Sequence, residues 1–206
     1  QKILFFPLYP QYAGATSATA NDEFFRSLIK QTWQPTARTV SPYFDHPDYI
    51  DALATSIERG YANAEVEPEI LVCSYHGVPK RYLMQGDPYH CLCQKTTRLL
   101  KERLGWDETQ IITTFQSKFG PEQWLQPYTV EEVARLAGLG KKNIAICAPA
   151  FSADCIETLE EINEEIRESF ERAGGEKFTY IPCLNDEPSH ISALTNIISD
   201  NLHGWV

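Results

Sequence analysis

Short runs of apolar and β-branched residues alternate with longer helical patterns along the whole chain. The runs lie at residues 3–9, 38–40, 70–75, 111–115, 143–148 and 178–182, and each predicts a strand. After each of them a helix is predicted, at residues 18–31, 47–63, 88–104, 129–137, 155–173 and 188–202. Because regular strand–helix alternation forms parallel crossovers, the pattern predicts an α/β fold with a doubly wound parallel sheet, a Rossmann-type arrangement of three layers.

The first predicted strand has no upstream strand to pair with, and the chain begins inside it without a cap or linker. We therefore expect residues 1–35 to be the terminal strand and helix of an incomplete N-terminal Rossmann-like domain. Residues 36–206 are expected to form the C-terminal domain.

Charge and hydropathy exclude several function classes. The formal net charge of -10 leaves no basic stripe that could neutralise phosphates, so nucleic acid is not an expected partner. No apolar run approaches the roughly 20 residues that cross a bilayer, and the start of the chain lacks the pattern of a signal peptide. We expect a soluble chain that works in the cytoplasm.

The six cysteines are too dispersed for a disulfide framework. Cys73, Cys147 and Cys183 fall in or beside predicted strands, which favours reduced, buried thiols. Cys91 and Cys93 form a C-x-C pair, which without a partner pair is weak evidence for zinc or an iron–sulfur cluster.

His76 stands directly after a predicted buried strand that includes Ile70, Leu71 and Val72. Ligands of open α/β sheets bind beyond the carboxyl ends of the strands, so an imidazole here is placed for proton transfer or metal binding. A structural histidine that bonds to Ser74 or Tyr75 explains the same position, and both interpretations stay open.

The residues that follow His76 favour a binding loop. Gly77 and Pro79 indicate a tight turn, and the basic pair Lys80 and Arg81 could meet substrate carboxylates. The later segment 116–128 carries three aromatic residues and could form a lip over a flat ligand, although one buried tryptophan pinning a loop explains it equally well.

A predicted acid-rich helix opens at Asp154, which with Glu157 resembles an N-cap and its reciprocal glutamate. Glu157, Glu161 and Glu165 step by four along one face, with neighbouring rungs roughly 6 Å apart. Their mutual repulsion must be offset by water or by a cation, and the ladder alone does not decide between a solvated face and a cation path. The apolar stripe that should face the core consists of Ile156, Leu159, Ile162, Ile166 and Phe170.

Six segments of the chain occur in the order in which one family carries them. They are Leu8-Tyr9-Pro10-Gln11-Tyr12, Ser74-Tyr75-His76-Gly77-Val78-Pro79, Gly86-Asp87-Pro88-Tyr89, Phe115-Gln116-Ser117-Lys118, Trp124-Leu125-Gln126-Pro127 and Ser152-Ala153-Asp154-Cys155-Ile156-Glu157-Thr158-Leu159-Glu160. Together they resemble the bacterial-type ferrochelatases, lyases that insert Fe²⁺ into a porphyrin in haem biosynthesis. The resemblance spans nearly the whole chain and implies a chelatase-like fold.

The resemblance also implies roles for individual residues. His76 would be the active-site histidine and Glu157 its partner across the porphyrin centre, both catalytic and both in contact with the metal. Glu161 and Glu165 would continue the acidic ladder that carries metal or protons. The positions that would contact the macrocycle are Tyr12, Tyr89 and Trp124.

The resemblance further implies Fe²⁺ as a substrate, no organic cofactor, and protoporphyrin IX or coproporphyrin III as the porphyrin partner. A [2Fe–2S] cluster is not expected, because Gly14 stands where cluster-bearing members have a cysteine and no cysteine follows Trp205. The missing N-terminal segment of the same protein is an expected partner, and a weak peripheral contact with the inner membrane would suit an apolar product. The alternatives are a related chelatase that inserts cobalt into another tetrapyrrole and a non-catalytic haem- or metal-binding module.

Overall fold

The computed structural model describes residues 1–205, in which strands and helices alternate along the chain. The strands are β1 (Lys2–Phe5), β2 (Thr36–Thr39), β3 (Leu71–His76), β4 (Ile111–Gln116), β5 (Asn143–Cys147) and β6 (Lys177–Tyr180). The α-helices are α1 (Thr19–Ile29), α2 (Pro47–Asn63), α3 (Lys80–Met84), α4 (Tyr89–Leu104), α5 (Thr129–Gly138), α6 (Arg167–Arg172) and α7 (Pro188–Asn201). Two further segments are π-helical, Gly14–Ala18 and Glu157–Ile166.

The larger sheet has the strand order β4-β3-β5-β6, and every neighbouring pair is parallel. β1 and β2 form a separate parallel pair in which Lys2 stands opposite Thr36. β1 lies before the predicted domain boundary at residue 35 and β2 lies after it, so the pair connects the two predicted parts. The division of the chain into domains at that point stays a prediction. The predicted α/β fold with a parallel, doubly wound sheet is confirmed.

Helices cover both faces of the larger sheet, which makes three layers. On one face, alternate strand residues such as Leu71 and Cys73 belong to a core shared with α2, α4 and α7. On the other face, Ile70 and Val72 pack with α5 and with the helix that starts at Glu157. The alternation follows from the period of two in a strand, since successive side chains point to opposite faces.

The connections diverge from β3, and this divergence positions the site. From β3 the chain reaches β4 through α3 and α4, whereas from β4 it returns through α5 to β5 on the other side of β3. In such a sheet a crevice opens beyond the carboxyl ends of the two strands that flank the switch, here β3 and β5. His76 ends β3, and the loop after β5 leads to Glu157.

The acid-rich helix differs from the prediction at its start. We call Glu157–Arg172 the acidic helix: it is π-helical as far as Ile166 and then continues as α6. Its N-cap is Ile156 rather than Asp154. The Thr158 hydroxyl accepts the Cys155 amide at 2.9 Å and lies 3.1 Å from the Asp154 carboxylate, whose other donors lie at and beyond the end of β6. The physical reason is tertiary, since Tyr180 and Asn185 offer Asp154 donors that sequence proximity does not reveal.

The apolar stripe of the acidic helix is only half buried. Ile162, Ile166 and Phe170 are in the core, but Ile156 is 67% exposed and Leu159 is 50% exposed. A π-helix bonds i to i+5 and has more residues per turn than an α-helix, so the stripe predicted from α-helical spacing rotates away from the core at its first turn. Within residues 1–205 no helix combines the length and hydropathy needed to span a bilayer.

All six cysteines are free thiols, four of them buried. Cys91 is exposed whereas Cys93 is buried, because residues two apart on α4 lie on opposite faces. The two thiols of the C-x-C pair therefore point in different directions.

Candidate active site

His76 is partly exposed at the end of β3 and is held through both its ring and its backbone. Its Nδ1 lies 2.7 Å from the carbonyl oxygen of Gly77, and the hydroxyl of Tyr89 donates to the carbonyl oxygen of His76 at 2.9 Å. A carbonyl oxygen only accepts, so Nδ1 carries the proton and Nε2 of the neutral ring keeps its lone pair. The geometry therefore leaves a proton acceptor or metal ligand at Nε2.

The alternative partners of a structural histidine are engaged elsewhere. Ser74 donates to the side chain of Gln116 at 2.7 Å, and the hydroxyl of Tyr75 lies 3.0 Å from that of Thr97. Neither hydroxyl bonds to His76, whose ring, among the described residues, is bonded within its own loop.

A pocket of about 570 Å³ opens beside His76. Its aromatic walls include Trp124, whose ring centroid lies 6.5 Å from that of His76, and Phe119, which is 73% exposed and 4.8 Å from Trp124. The far wall comes from residues 13–16, before α1. Aromatic walls on a long, open pocket suit a flat, largely apolar ligand.

The three aromatic residues predicted to contact a macrocycle are placed differently. Tyr89 and Trp124 line the pocket. Tyr12 is partly buried and, within the described part of the chain, is outside that lining. Burial raises the pKa of Tyr89 well above its usual range, which keeps its hydroxyl protonated as the donor that holds the His76 carbonyl.

Glu157 is the first residue of the acidic helix and is partly buried. A hydrogen bond from the Cys155 thiol, helped by the backbone amide of Glu157, holds the pKa of this carboxyl below its usual range. Burial opposes the shift, and the positive charge that His76 carries when it is protonated adds to it. Glu157 is therefore ionised near neutral pH and lies within electrostatic reach of His76.

Glu161 is not a free rung of the ladder. Its carboxylate accepts hydrogen bonds from the Gln116 amide at 3.1 Å and from both the backbone and the hydroxyl of Ser117. The same Gln116 amide donates to the Glu157 carbonyl at 2.8 Å. Because Ser74 donates to the other end of that amide, the orientation of Gln116 is fixed, and with it the start of the acidic helix.

Glu165 is exposed and shares a shallow groove of about 270 Å³ with Ile156, Glu157, Glu160 and Glu161. The three predicted ladder residues therefore meet at one surface. Within residues 1–205 no three His, Cys, Asp or Glu side chains converge closely enough to hold a metal ion.

Sequence reasoning missed the residues that hold the ladder. Gln116 is the last residue of β4, and Ser117 follows it with a positive φ of 61°. They belong to the segment Phe115-Gln116-Ser117-Lys118, so the resemblance drew attention to them without assigning a role. Cys155, whose thiol lowers the pKa of the Glu157 carboxyl, belongs to the last of the six segments and had no predicted role.

The comparisons with known proteins agree with one another. A family model described as Ferrochelatase matches residues 1–202. Curated ferrochelatases of Rhodobacter capsulatus and Allorhizobium ampelinum are 66% and 58% identical over all 206 residues, and the chain spans 59% and 60% of their lengths.

Among solved structures, SirB from Bacillus subtilis with Fe³⁺ has a TM-score of 0.63 at 14% identity, over 97% of this chain and 71% of that one. CbiX, titled the terminal enzyme for biosynthesis of sirohaem in denitrifying bacteria, has a TM-score of 0.62 at 13% identity, over 96% and 74%. At such identities the likeness shows the fold alone.

Proposed function

The chain belongs to the ferrochelatase family, and we propose that the protein that contains it inserts Fe²⁺ into a porphyrin, with His76 and Glu157 as catalytic residues. One observation carries the proposal. His76, whose Nδ1 is bonded and whose Nε2 keeps its lone pair, lines an aromatic pocket and is within electrostatic reach of an ionised Glu157.

The proton problem explains why an imidazole stands here. A free porphyrin has two central N–H groups, and both protons must leave as Fe²⁺ takes its place among four nitrogens. Nε2 of His76 would accept one proton at a time, since a neutral imidazole is a suitable base near neutral pH. Each proton would then pass from His76 to the carboxylates or to water, so that one Fe²⁺ enters and two protons are released.

Glu157 would stabilise the imidazolium that forms and would attract the incoming cation. The lowered pKa of its carboxyl keeps it charged for both tasks. Carboxylate oxygens and an imidazole nitrogen bind Fe²⁺ without the tight grip of a thiolate cluster. A sparse set of such groups suits an ion that must leave them for the porphyrin.

Glu161 and Glu165 would have different parts in delivery. Glu165 is exposed at the outer end of the groove and would meet the hydrated ion first. Glu161 is held by Gln116 and Ser117, so it would act as a fixed charge that guides an ion or a proton toward Glu157.

The test is metal insertion by the complete protein, followed by the loss of free-porphyrin fluorescence after addition of Zn²⁺, or of Fe²⁺ without oxygen. We expect both ions to enter protoporphyrin IX or coproporphyrin III with turnover. Tight porphyrin binding without insertion would instead assign a carrier. Insertion confined to cobalt and sirohydrochlorin would assign a related chelatase, and either result would overturn the proposal.

A further inference from the structure

An ion pair spans the mouth of the pocket beside His76. Nε of Arg81, on α3, lies 3.3 Å from Oε1 of Glu122, which belongs to the loop between β4 and α5. Both side chains line the pocket, and both remain open to water, with 56% and 41% of their surface exposed. The guanidinium also lies 5.3 Å from the ring centroid of Tyr82.

Arg81 differs from its neighbour Lys80 because its side chain lines the pocket. Lys80 is exposed but does not contribute to the lining, whereas Arg81 does. Apart from His76, Arg81 is the basic side chain in the lining formed by the described residues. The two adjacent cations therefore provide a matched pair, one at the pocket and one away from it.

A flat ligand with ionised side chains needs a cation at one edge. The apolar ring can lie between aromatic walls, but a carboxylate that leaves water without a partner costs several kcal/mol. A guanidinium offers two parallel N–H groups to a carboxylate, which gives both geometry and charge. Arg81 meets Glu122 through a single contact and in partial solvent, and pairs of that kind contribute little. Exchange of Glu122 for a ligand carboxylate is therefore inexpensive.

We infer that Arg81 binds a side-chain carboxylate of the porphyrin at the edge of the pocket, and that Glu122 is the internal carboxylate it must release. The inference rests on the proposed function and names a residue that selects porphyrins with ionised side chains. When the pocket is empty, Glu122 holds the guanidinium of Arg81 over it. When the porphyrin arrives, Glu122 competes with the porphyrin carboxylate for that guanidinium.

The experiment measures KM and kcat for Zn²⁺ insertion by the complete protein, with protoporphyrin IX and with its dimethyl ester in the same detergent. Arg81→Leu should raise KM for the diacid about tenfold, as expected for loss of a charge-assisted hydrogen bond, and leave kcat within about twofold. For the diester the same variant should change neither constant. Lys80→Leu removes the same charge one residue away and should behave as wild type with both porphyrins.

Two further variants sharpen the result. Glu122→Gln removes the competing charge and should lower KM for the diacid about two- to threefold, an effect of the size seen for exposed ion pairs. Arg81→Lys keeps the positive charge but not the two parallel N–H groups of the guanidinium, so its KM for the diacid should lie between those of wild type and Arg81→Leu. Coproporphyrin III has two carboxylates that protoporphyrin IX lacks, so a KM change with both would assign Arg81 to a shared carboxylate and a change with coproporphyrin III alone to an extra one.

Equal KM values for Arg81→Leu and Lys80→Leu with both protoporphyrin IX and coproporphyrin III would overturn the inference, as would an equal loss with the diester. Porphyrin dissociation constants, measured by quenching of tryptophan fluorescence, keep the two proposals separable. If wild type binds the diacid but inserts no metal, the proposed function fails, and the binding constants of the Arg81 variants still decide the role of Arg81.

Discussion

The two nitrogens of His76 have different environments. Nδ1 donates to the Gly77 carbonyl, which orients the ring and leaves Nε2 as the atom that we propose to react. Glu157 is its electrostatic complement, since a thiol and a backbone amide keep that carboxylate ionised. A base at the aromatic pocket and a fixed negative charge at the acidic groove are the minimum that the proposed exchange of two protons for a dication requires.

Glu157→Gln tests the role of that charge. In the complete protein we expect insertion to slow by about 100-fold, within the range found for groups that assist proton transfer. Glu161→Gln and Glu165→Gln should lose less, because neither is placed to stabilise the imidazolium. Glu164→Gln, an exposed carboxylate on the same helix, is the control and should match wild type. Steady-state insertion rates measure all four, and four silent variants would restore the interpretation of a solvated acidic face.

Asp154 precedes the acidic helix, and its carboxyl should make the free energy of unfolding depend on pH. Hydrogen bonds from Asn185, Tyr180 and the Cys183 amide hold the pKa of its carboxyl below its usual range, although burial opposes them. A depressed folded-state pKa means that the ionised form stabilises the fold. That stability is present above the unfolded value of about 3.9 and is lost as the pH falls through the folded value.

Asp154→Asn should therefore lower the free energy of unfolding at pH 7 by about 1–3 kcal/mol, because an amide would turn a donor toward the donors that now bond to the carboxylate. The difference from wild type should shrink below about pH 3.9. Urea unfolding at pH 7 and pH 3 measures both, with Asp186→Asn, an exposed carboxylate in the following loop, as the control. A difference that does not change with pH would contradict the assignment.

Among the elements, hydrophobic patterning predicted what local periodicity controls. The strands β3, β4 and β5 and the helices α2, α4 and α7 occur within a residue or two of their expected bounds, because each has a buried face of regular period. The first strand ends at Phe5 rather than at residue 9, since Pro7 cannot donate to a ladder. The short helix α3 has no buried residue and was missed for that reason.

The π-helical form of the acidic helix could not be predicted from its own residues. Its first carbonyl is bonded to Gln116, 41 positions earlier in the chain, and Glu161 is bonded to the same amide. These contacts require β4 and the helix to be already adjacent. The spacing in the sequence predicted that the glutamates share one face. Only the tertiary contacts show that Glu161 is hydrogen-bonded to β4 and the residue after it, whereas Glu165 is exposed.

Gln116→Leu tests this connection between elements. Gln116 is only 3% exposed, and its loss would remove one hydrogen-bond partner each from the Ser74 hydroxyl, the Glu157 carbonyl and the Glu161 carboxylate. We expect the free energy of unfolding to fall by about 1–3 kcal/mol, the usual cost of losing buried hydrogen bonds of which one goes to a charged group. Urea unfolding measures the loss, and Gln94→Leu on an exposed position of α4 should cost less than about 0.5 kcal/mol. Equal stability of the two variants would show that Gln116 does not fasten the acidic helix.

At the scale of the whole molecule, the pocket is assembled from distant parts of the chain. Residues 13–16 supply one wall, the end of β3 supplies His76, and the loop after β4 supplies Phe119 and Trp124. Asp87, between α3 and α4, fastens the first of these parts, because its carboxylate accepts the Gly14 amide at 2.7 Å. The strand ends that meet at the switch point could be anticipated from topology, whereas the partners of each side chain depended on the fold.

The chain spans about 60% of the length of the curated relatives that it matches, and the activity is proposed for the complete protein. The measurement that tests the central claim most directly is metal insertion and porphyrin binding by His76→Ala in that protein. We predict that insertion falls by at least about 100-fold, because the proton acceptor is gone, while the porphyrin dissociation constant stays within about threefold, because aromatic walls and not the imidazole hold the ring. Unchanged insertion by His76→Ala would contradict the role of His76, whatever the other variants do.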